Sequence, residues 1–299
     1  MKPFLLAFLS TLVITPFVVR YCHKKGFLDY PKAKSVHIKP VPMAGGLIVF
    51  AVFFIISFIS NARFNLIPLF LASLPMIASG LYDDRRGLNA AQKILIQLIA
   101  VIILMSFGIM ITKIKLPFGN ILEIGHFSIP ATIIWFLFMT NLINLLDGLD
   151  GLAAGLCTVV FGALFIIMHP SLFDAQLLIL AGSLLAFMIF NFYPAKIFLG
   201  NNGSSFLGFA VAYFSLVTSQ KSSILPILVV PPCILMVHVF DAGYSVLRRA
   251  KKGRKIFEGD KGHIHHIMLG SIKNHRVTVL AFYLTSLIIA IFILKLWPR

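Results

Sequence analysis

Asn141, Asn144, Asp147 and Asp150 recur at three-residue spacing in the segment Asn141-Leu-Ile-Asn144-Leu-Leu-Asp147-Gly-Leu-Asp150-Gly151, directly after a long apolar run. An ionised Asp at a bilayer centre costs about 2.5–3.5 kcal/mol even on the mildest scale, so acids beside an apolar span are working groups by default. Three residues advance a helix by about 300°, which keeps Asn141 and Asn144 on one face but would turn Asp150 away from Asn141 if the helix continued. Gly148 and Gly151 bracket Asp150 with residues suited to turns. The two aspartates are therefore expected at a helix end, with room for a phosphate or a divalent cation. Capping alone would account for one or two of the four polar residues.

Three other polar clusters carry chemistry of the same kind. Asp83 and Asp84 are adjacent in Gly80-Leu-Tyr-Asp83-Asp84-Arg-Arg-Gly87, with Lys93 shortly downstream. Paired carboxylates repel and are tolerated best where a divalent cation or a cationic group neutralises them. The turn Gly200-Asn201-Asn202-Gly203-Ser204-Ser205 opens an apolar run and offers backbone N–H groups of the kind that favour phosphate at a helix N-terminus. His263, His265 and His266 follow Glu258-Gly-Asp260-Lys261. Zinc is the rival reading of three clustered histidines, but no Cys or further His stands at a spacing that would close a tetrahedral site. Donation to a diphosphate or a sugar hydroxyl suits them better. His238 and Asp241, three apart, read equally well as a polar pair or a functional one.

The elements that must position these groups are membrane helices. At 59% apolar and 12% charged over 299 residues, the chain lies far from the roughly 25% charged of soluble domains. Apolar runs long enough to cross a hydrocarbon core about 30 Å thick fall near 3–20, 44–61, 66–82, 91–112, 129–146, 152–169, 174–192, 204–218, 223–246 and 276–296. The expected fold is an all-α, polytopic membrane bundle of about ten transmembrane helices in one integral membrane domain, 1–299. The first run has no small-residue cleavage site and reads as a retained span. Pro231-Pro232 should break the ninth.

With the N-terminus outside, most of the 26 Lys and Arg fall in the inner loops, including Arg20, Lys32, Lys34, Arg85, Arg86, Arg248 and Arg249. That asymmetry predicts a cytoplasmic assignment for those loops. Of the ten acids, all but Glu123 and Asp174 share that face. The net charge of +16 then describes a basic cytoplasmic surface, attractive to anionic headgroups and phosphorylated solutes. Cys22, Cys157 and Cys233 form no disulfide or metal-ligand pattern.

In order and spacing, Asp83-Asp84, Asn141-x-x-Asn144-x-x-Asp147-Gly-x-Asp150-Gly-Leu, the Gly200-to-Gly208 turn and His263-x-His265-His266 resemble the polyprenyl-phosphate N-acetylhexosamine-1-phosphate transferases, bacterial glycosyltransferase family 4. The resemblance runs from about His37 to His266, and its histidine loop is similar to the branch using UDP-N-acetylglucosamine or related amino sugars. It implies transfer of an N-acetylhexosamine 1-phosphate from a UDP-amino sugar to undecaprenyl phosphate with release of UMP. The setting would be the bacterial inner membrane, at the first membrane step of a cell-surface glycan such as O-antigen or teichoic acid. It nominates Asp83, Asp84, Asp147 and Asp150 as catalytic, and Lys93, Asn141, Asn144, His263, His265 and His266 as substrate-binding. Asp84, Asp147 and Asn201 would hold Mg²⁺, with Mn²⁺ as alternative. The implied partners are the lipid phosphate, the UDP-amino sugar and the bilayer, without nucleic acid, and a homodimer is compatible. One departure stands out: the family has Gly-Asp-x-Gly-Ser, whereas Asn201 here offers a neutral oxygen. The rival readings are an inactive lipid-binding homologue and a secondary anion transporter.

Overall fold

The computed structural model describes residues 2–31, 38–60, 66–115, 121–221, 226–251 and 263–296. Lys32, Lys34, Glu258, Asp260 and Lys261 of the charge pattern lie outside these. The described residues form the helices α1 (Lys2–Lys25), α2 (Gly45–Ile59), α3 (Ile67–Arg86), α4 (Ala90–Ser106), α5 (Ser128–Leu146), α6 (Leu152–Met168), α7 (Asp174–Asn191), α8 (Gly200–Lys221), α9 (Pro226–Ile234), α10 (Met236–Lys251), α11 (Ile264–Ile272) and α12 (His275–Leu296). Two small antiparallel ladders amend the all-α expectation: β1 (Leu28–Asp29) with β2 (Val41–Pro42), and β3 (Lys113–Lys115) with β4 (Ile121–Glu123). Lys2–Lys25, Gly125–Leu146, Asp174–Asn191 and His275–Leu296 are long and apolar enough to cross a membrane. Gly45–Ile59, Ala90–Ser106 and Leu152–Met168 are shorter apolar helices.

Every expected span but one coincides with a single helix. The exception, 223–246, is divided at Leu235 into α9 and α10. Pro231 and Pro232 supply no N–H to the turn before them, and their rings crowd it. The carbonyl of Leu235 then takes the N–H groups of both His238 and Val239, and the chain restarts as α10. This new helix buries His238, Asp241, Ser245 and Arg249 while exposing Met236, Phe240, Tyr244 and Leu247. Polar inside and apolar outside is the arrangement a lipid solvent requires.

At the centre stands α8, whose Phe206, Phe209, Tyr213 and Phe214 are fully buried, as expected of a helix apolar on every side. It packs against α3 and α5 most extensively, and also against α2, α6 and α9. On another side α7 packs against α1, α6 and α2. The outer helices α1 and α12 turn Leu5, Leu9, Val13 and Phe17, and Leu280, Leu284 and Ile291, outward. Surfaces of that length and polarity fit hydrocarbon better than water.

Neighbouring helices run so that the motif-bearing ends gather at one end of the bundle. The C-terminal ends of α3, α5 and α7 meet the N-terminal ends of α2, α8 and α12 there, through Asp84 to Asn201, Asn144 to Asn201, Gly151 to Asn191, Gly46 to Leu199 and Arg276 to Tyr193. Glycines permit the closest of these approaches. A Cβ on Gly46 would lie 2.0 Å from Gly203 Cα, and one on Gly80 would lie 2.2 Å from Asn202 Cα and 2.4 Å from its nitrogen. Backbone cannot give way as a flexible side chain does, so these two contacts fix how α2 and α3 seat against α8. Gly80→Ala is expected to destabilise the purified protein by about 1–3 kcal/mol through overpacking. Gly162→Ala, with nothing within 4 Å of the added methyl, should leave the thermal unfolding temperature unchanged or raise it. Equal midpoints for the two variants would refute this seating.

Candidate functional site

Asp84 closes the last turn of α3 on the first turn of α8. Its Oδ1 accepts the backbone N–H of Asn201 and the Asn201 side-chain amide, both at 2.9 Å, and its Oδ2 accepts the Asn202 amide at 2.8 Å. The Asn202 amide also reaches the carbonyl of Met43 at 2.9 Å. The start of α8 presents unpaired N–H groups and a positive dipole end. An anion belongs there, and the chain's own carboxylate occupies that place. Gly200 enters the turn at φ +76, a conformation that favours glycine.

The adjacent Asp83 faces differently. Its Oδ1 accepts the Leu88 N–H at 2.6 Å, and its Oδ2 pairs with Lys93 Nζ at 2.5 Å. Lys93 stands in the first turn of α4, which Asn89 and Gln92 start with a reciprocal capping box. Asp83 and Lys93 line a small recess together with Gln97, Asn141 and Asn144. Asn141 and Gln97 exchange amide hydrogen bonds across the α5–α4 boundary. Asn144 donates to Asn201 Oδ1 and to Ser204 Oγ, both at 2.9 Å, joining α5 to α8.

The Asn144–Asn201 pair borders both this recess and a larger cavity of about 300 Å³. Asp84, Asp147, Asp150, Asn191, Asn201 and His266 line that cavity. α5 ends at Leu146, and the chain turns through Asp147 to Gly151, which takes φ +83 before α6 begins. Asn191 holds the turn by accepting the Gly151 N–H and donating to the Ile197 carbonyl. Asp150 accepts the Ala195 N–H at 3.0 Å. Burial pushes the Asp147 carboxyl well above its ordinary range, and the nearby Asp84 and Asp150 charges push it further the same way.

The three histidines take three different environments. The His263 Nδ1 lies 2.9 Å from Asp241 Oδ2, its Nε2 lies 3.3 Å from an Arg249 nitrogen, and the residue is 7% exposed. His265 is 1% exposed, with its Nε2 against the open face of Gly148. Burial, reinforced by the neighbouring histidines, lowers its pKa to about 3, so it is neutral at physiological pH. Of the three, His266 lines the larger cavity.

Asp84, Asp147, Asp150, Asn144, Asn201 and His266 therefore come together at the larger cavity, and Asp83, Lys93 and Asn141 at the recess beside it. His263 and His265 stand behind His266. Asn191 and Gln97 join the site without a sequence signal beyond being polar residues within apolar helices. Among the described residues, no group of three or more His, Cys, Asp or Glu is arranged to hold a metal ion. Mg²⁺ is ordinarily held by one or two carboxylates plus substrate phosphates and waters rather than by a protein cage. Hard oxygens on Asp84 and Asp147, within a cluster whose charges oppose one another, fit such a cation. The Asn201 oxygen accepts from Asn144, and its amide faces Asp84. As arranged, Asn201 serves as a bridge rather than a free ligand.

Comparison with known proteins gives the same direction. The description of Glycosyl transferase family 4 matches residues 66–219, the stretch from α3 to α8 that carries both carboxylate motifs and the Asn201 turn. The chain is 36% identical over 297 residues to the probable undecaprenyl-phosphate N-acetylglucosaminyl 1-phosphate transferase of Bacillus subtilis, covering 96% of this chain and 82% of that protein. It is 31% identical over 322 residues to the decaprenyl-phosphate N-acetylglucosaminephosphotransferase of Mycobacterium leprae, covering 96% and 81%. A phospho-N-acetylmuramoyl-pentapeptide-transferase of Halalkalibacterium halodurans is 27% identical over 314 residues, covering 96% and 94%. On the family match and these near full-length likenesses, the chain belongs to glycosyl transferase family 4.

Proposed function

We propose that this protein transfers N-acetylglucosamine 1-phosphate, or a related N-acetylhexosamine 1-phosphate, from its UDP-sugar to undecaprenyl phosphate and releases UMP. It would act at the cytoplasmic face of the bacterial inner membrane. The observation that carries the reading is the meeting of Asp84, Asp147, Asp150 and His266 on one cavity, with Lys93 and Asp83 in the recess beside it. The names of the relatives from Bacillus subtilis and Mycobacterium leprae support the substrate class. The basic side chains beside the motifs, Arg85, Arg86, Arg248 and Arg249, support the orientation with ten spans and the N-terminus outside.

Both substrates are anions, so the protein must hold like charges together. Lys93, paired with Asp83, would receive the lipid phosphate at the smaller recess, where its ammonium can trade a carboxylate partner for a phosphate oxygen. The UDP-sugar then lies in the larger cavity, its diphosphate towards His266 and the Asp84–Asp147 wall. An oxygen of the lipid phosphate attacks the phosphorus that bears the sugar, and the bond from that phosphorus to the bridging oxygen breaks. UMP leaves with the bridging oxygen, and the sugar–oxygen bond is kept. A phosphate monoester has a second pKa of about 6, so the nucleophile is largely dianionic at neutral pH and needs little help from a base. Asp83 is then an orienting group for Lys93 and the nucleophile. Asp84 and Asp147 would hold Mg²⁺, which supplies charge neutralisation for the diphosphate and the departing UMP. Asp150 keeps the wall of the cavity in place through Ala195.

Purified protein given undecaprenyl phosphate, Mg²⁺ and UDP-N-acetylglucosamine should release UMP, and should exchange labelled UMP into the UDP-sugar. Failure to release UMP with any common UDP-amino sugar, from protein shown to be folded, would sink the proposal.

Asn201→Asp tests the cation. The substitution removes an amide donor from Asp84 and adds a charge to the cluster, and cation affinity at oxygen sites rises with ligand charge. The Mg²⁺ concentration for half-maximal activity is expected to fall by about threefold or more. The variant's unfolding temperature should be lower than that of the wild type without Mg²⁺ and should recover when it is added. An unchanged or raised requirement, with no Mg²⁺ effect on unfolding, argues against a cation beside residue 201.

A further inference from the structure

Asp241 lines neither the cavity nor the recess, yet the residue is 7% exposed and both its carboxylate oxygens are committed to the start of α11. Oδ1 accepts the N–H of Ile264 at 2.9 Å, and Oδ2 meets His263 Nδ1 at 2.9 Å. His263 is the residue preceding α11, and its side chain makes no capping bond to that helix. The cap is therefore provided by a different helix, α10.

The ring chemistry of His263 follows from its partners. Arg249 can only donate, so the His263 Nε2 at 3.3 Å from it is the acceptor. The proton then resides on Nδ1 and is donated to Asp241. Ser245 Oγ, 3.3 Å from the same nitrogen, completes the surroundings on α10. With both ring nitrogens engaged inside the protein, His263 is a fastening rather than a substrate contact.

What it fastens is the register of the next two histidines. The His263 and His265 rings lie parallel, 2° apart in plane with centroids 5.7 Å apart, and His265 meets His266 at 4.4 Å. His265 rests on Gly148 at the turn between Asp147 and Asp150. His266 reaches the larger cavity. A shift at residue 263 passes through these contacts to the cavity wall, and misplacement by about 1 Å costs on the order of 10² in rate at a positioned group.

We propose that Asp241 is a positioning residue: through His263 and the first N–H of α11 it sets His266 against the UDP-sugar in the cavity, without touching substrate. This rests on the transferase reading above. Removing the His263 partner should therefore impair the nucleotide-sugar substrate and spare the lipid phosphate, which the Lys93 recess receives.

The test uses the full chain in detergent or nanodiscs. Asp241→Asn keeps an acceptor for Ile264 but turns an amide towards His263. It is expected to raise KM for UDP-N-acetylglucosamine by about tenfold while KM for undecaprenyl phosphate stays within about twofold. His263→Ala should do the same, and the double variant should be no worse than the worse single one, because both remove one interaction. Additive losses, or an equal rise in both KM values, would overturn the proposal. Diethyl pyrocarbonate labelling, read by mass spectrometry, provides a readout independent of catalysis. His263 should label about fivefold faster in Asp241→Asn than in the wild type as its buried partner is lost, and equal rates would overturn the fastening. Should the wild type release no UMP at all, the transferase reading falls, while labelling still decides the Asp241–His263 contact.

Discussion

A half-buried carboxylate at the end of one helix and the unpaired N–H groups at the start of another solve each other's problem. Asp84 is half-buried at the foot of α3 and needs hydrogen bonds for its charge, since a charge drawn from water without partners is destabilising. Asn201 and Asn202 at the head of α8 need acceptors. Their union places the central helix against α3, and Gly46 and Gly80 allow the backbones to close on it. Asn144 then reads the same Asn201 side chain from α5. Three helices are thereby keyed to one another through amides and one acid, and the cavity is the space that keying leaves.

The consequence for chemistry is a division of labour between neighbouring acids. Asp83 and Asp84 are adjacent in sequence but turn to different neighbours, Asp83 to Lys93 in the recess and Asp84 to the amides bordering the larger cavity. A pair that would repel as two like charges instead serves two compartments, with Asn144 and Asn201 between them. The two anionic substrates of a phosphosugar transfer need such compartments, near each other but each with its own counter-charge. Asp147 faces the Asp84 and Asp150 charges from the wall of the larger cavity.

The sequence made the helices legible, because a hydrocarbon core permits little besides apolar helices and each loop announces itself by charge. The break expected of Pro231 and Pro232 is found a few residues beyond them, at Leu235. The Asp147–Gly151 turn was legible from its two glycines. What could not be read was partnership. Asp84 and Asn201 are 117 positions apart, and no spacing rule says that an amide turn expected to face a phosphate faces the chain's own acid. Asn191 hides as a polar residue at the end of a helix. The spacing of Asp241 and His238 suggests one pair on one face, and the structure gives Asp241 to His263, the residue before α11. Those pairings depend on tertiary packing, which local pattern does not encode.

The nucleotide sugar is expected in the cavity framed by Asp84, Asp147, Asp150 and His266. An experimental structure of the full chain with UDP-N-acetylglucosamine and Mg²⁺ tests it most directly. The diphosphate is expected between His266 and the Asp84–Asp147 wall, with the recess beside Lys93 left for the lipid phosphate. A nucleotide found outside this cavity, with Asp147 and His266 untouched, would contradict it.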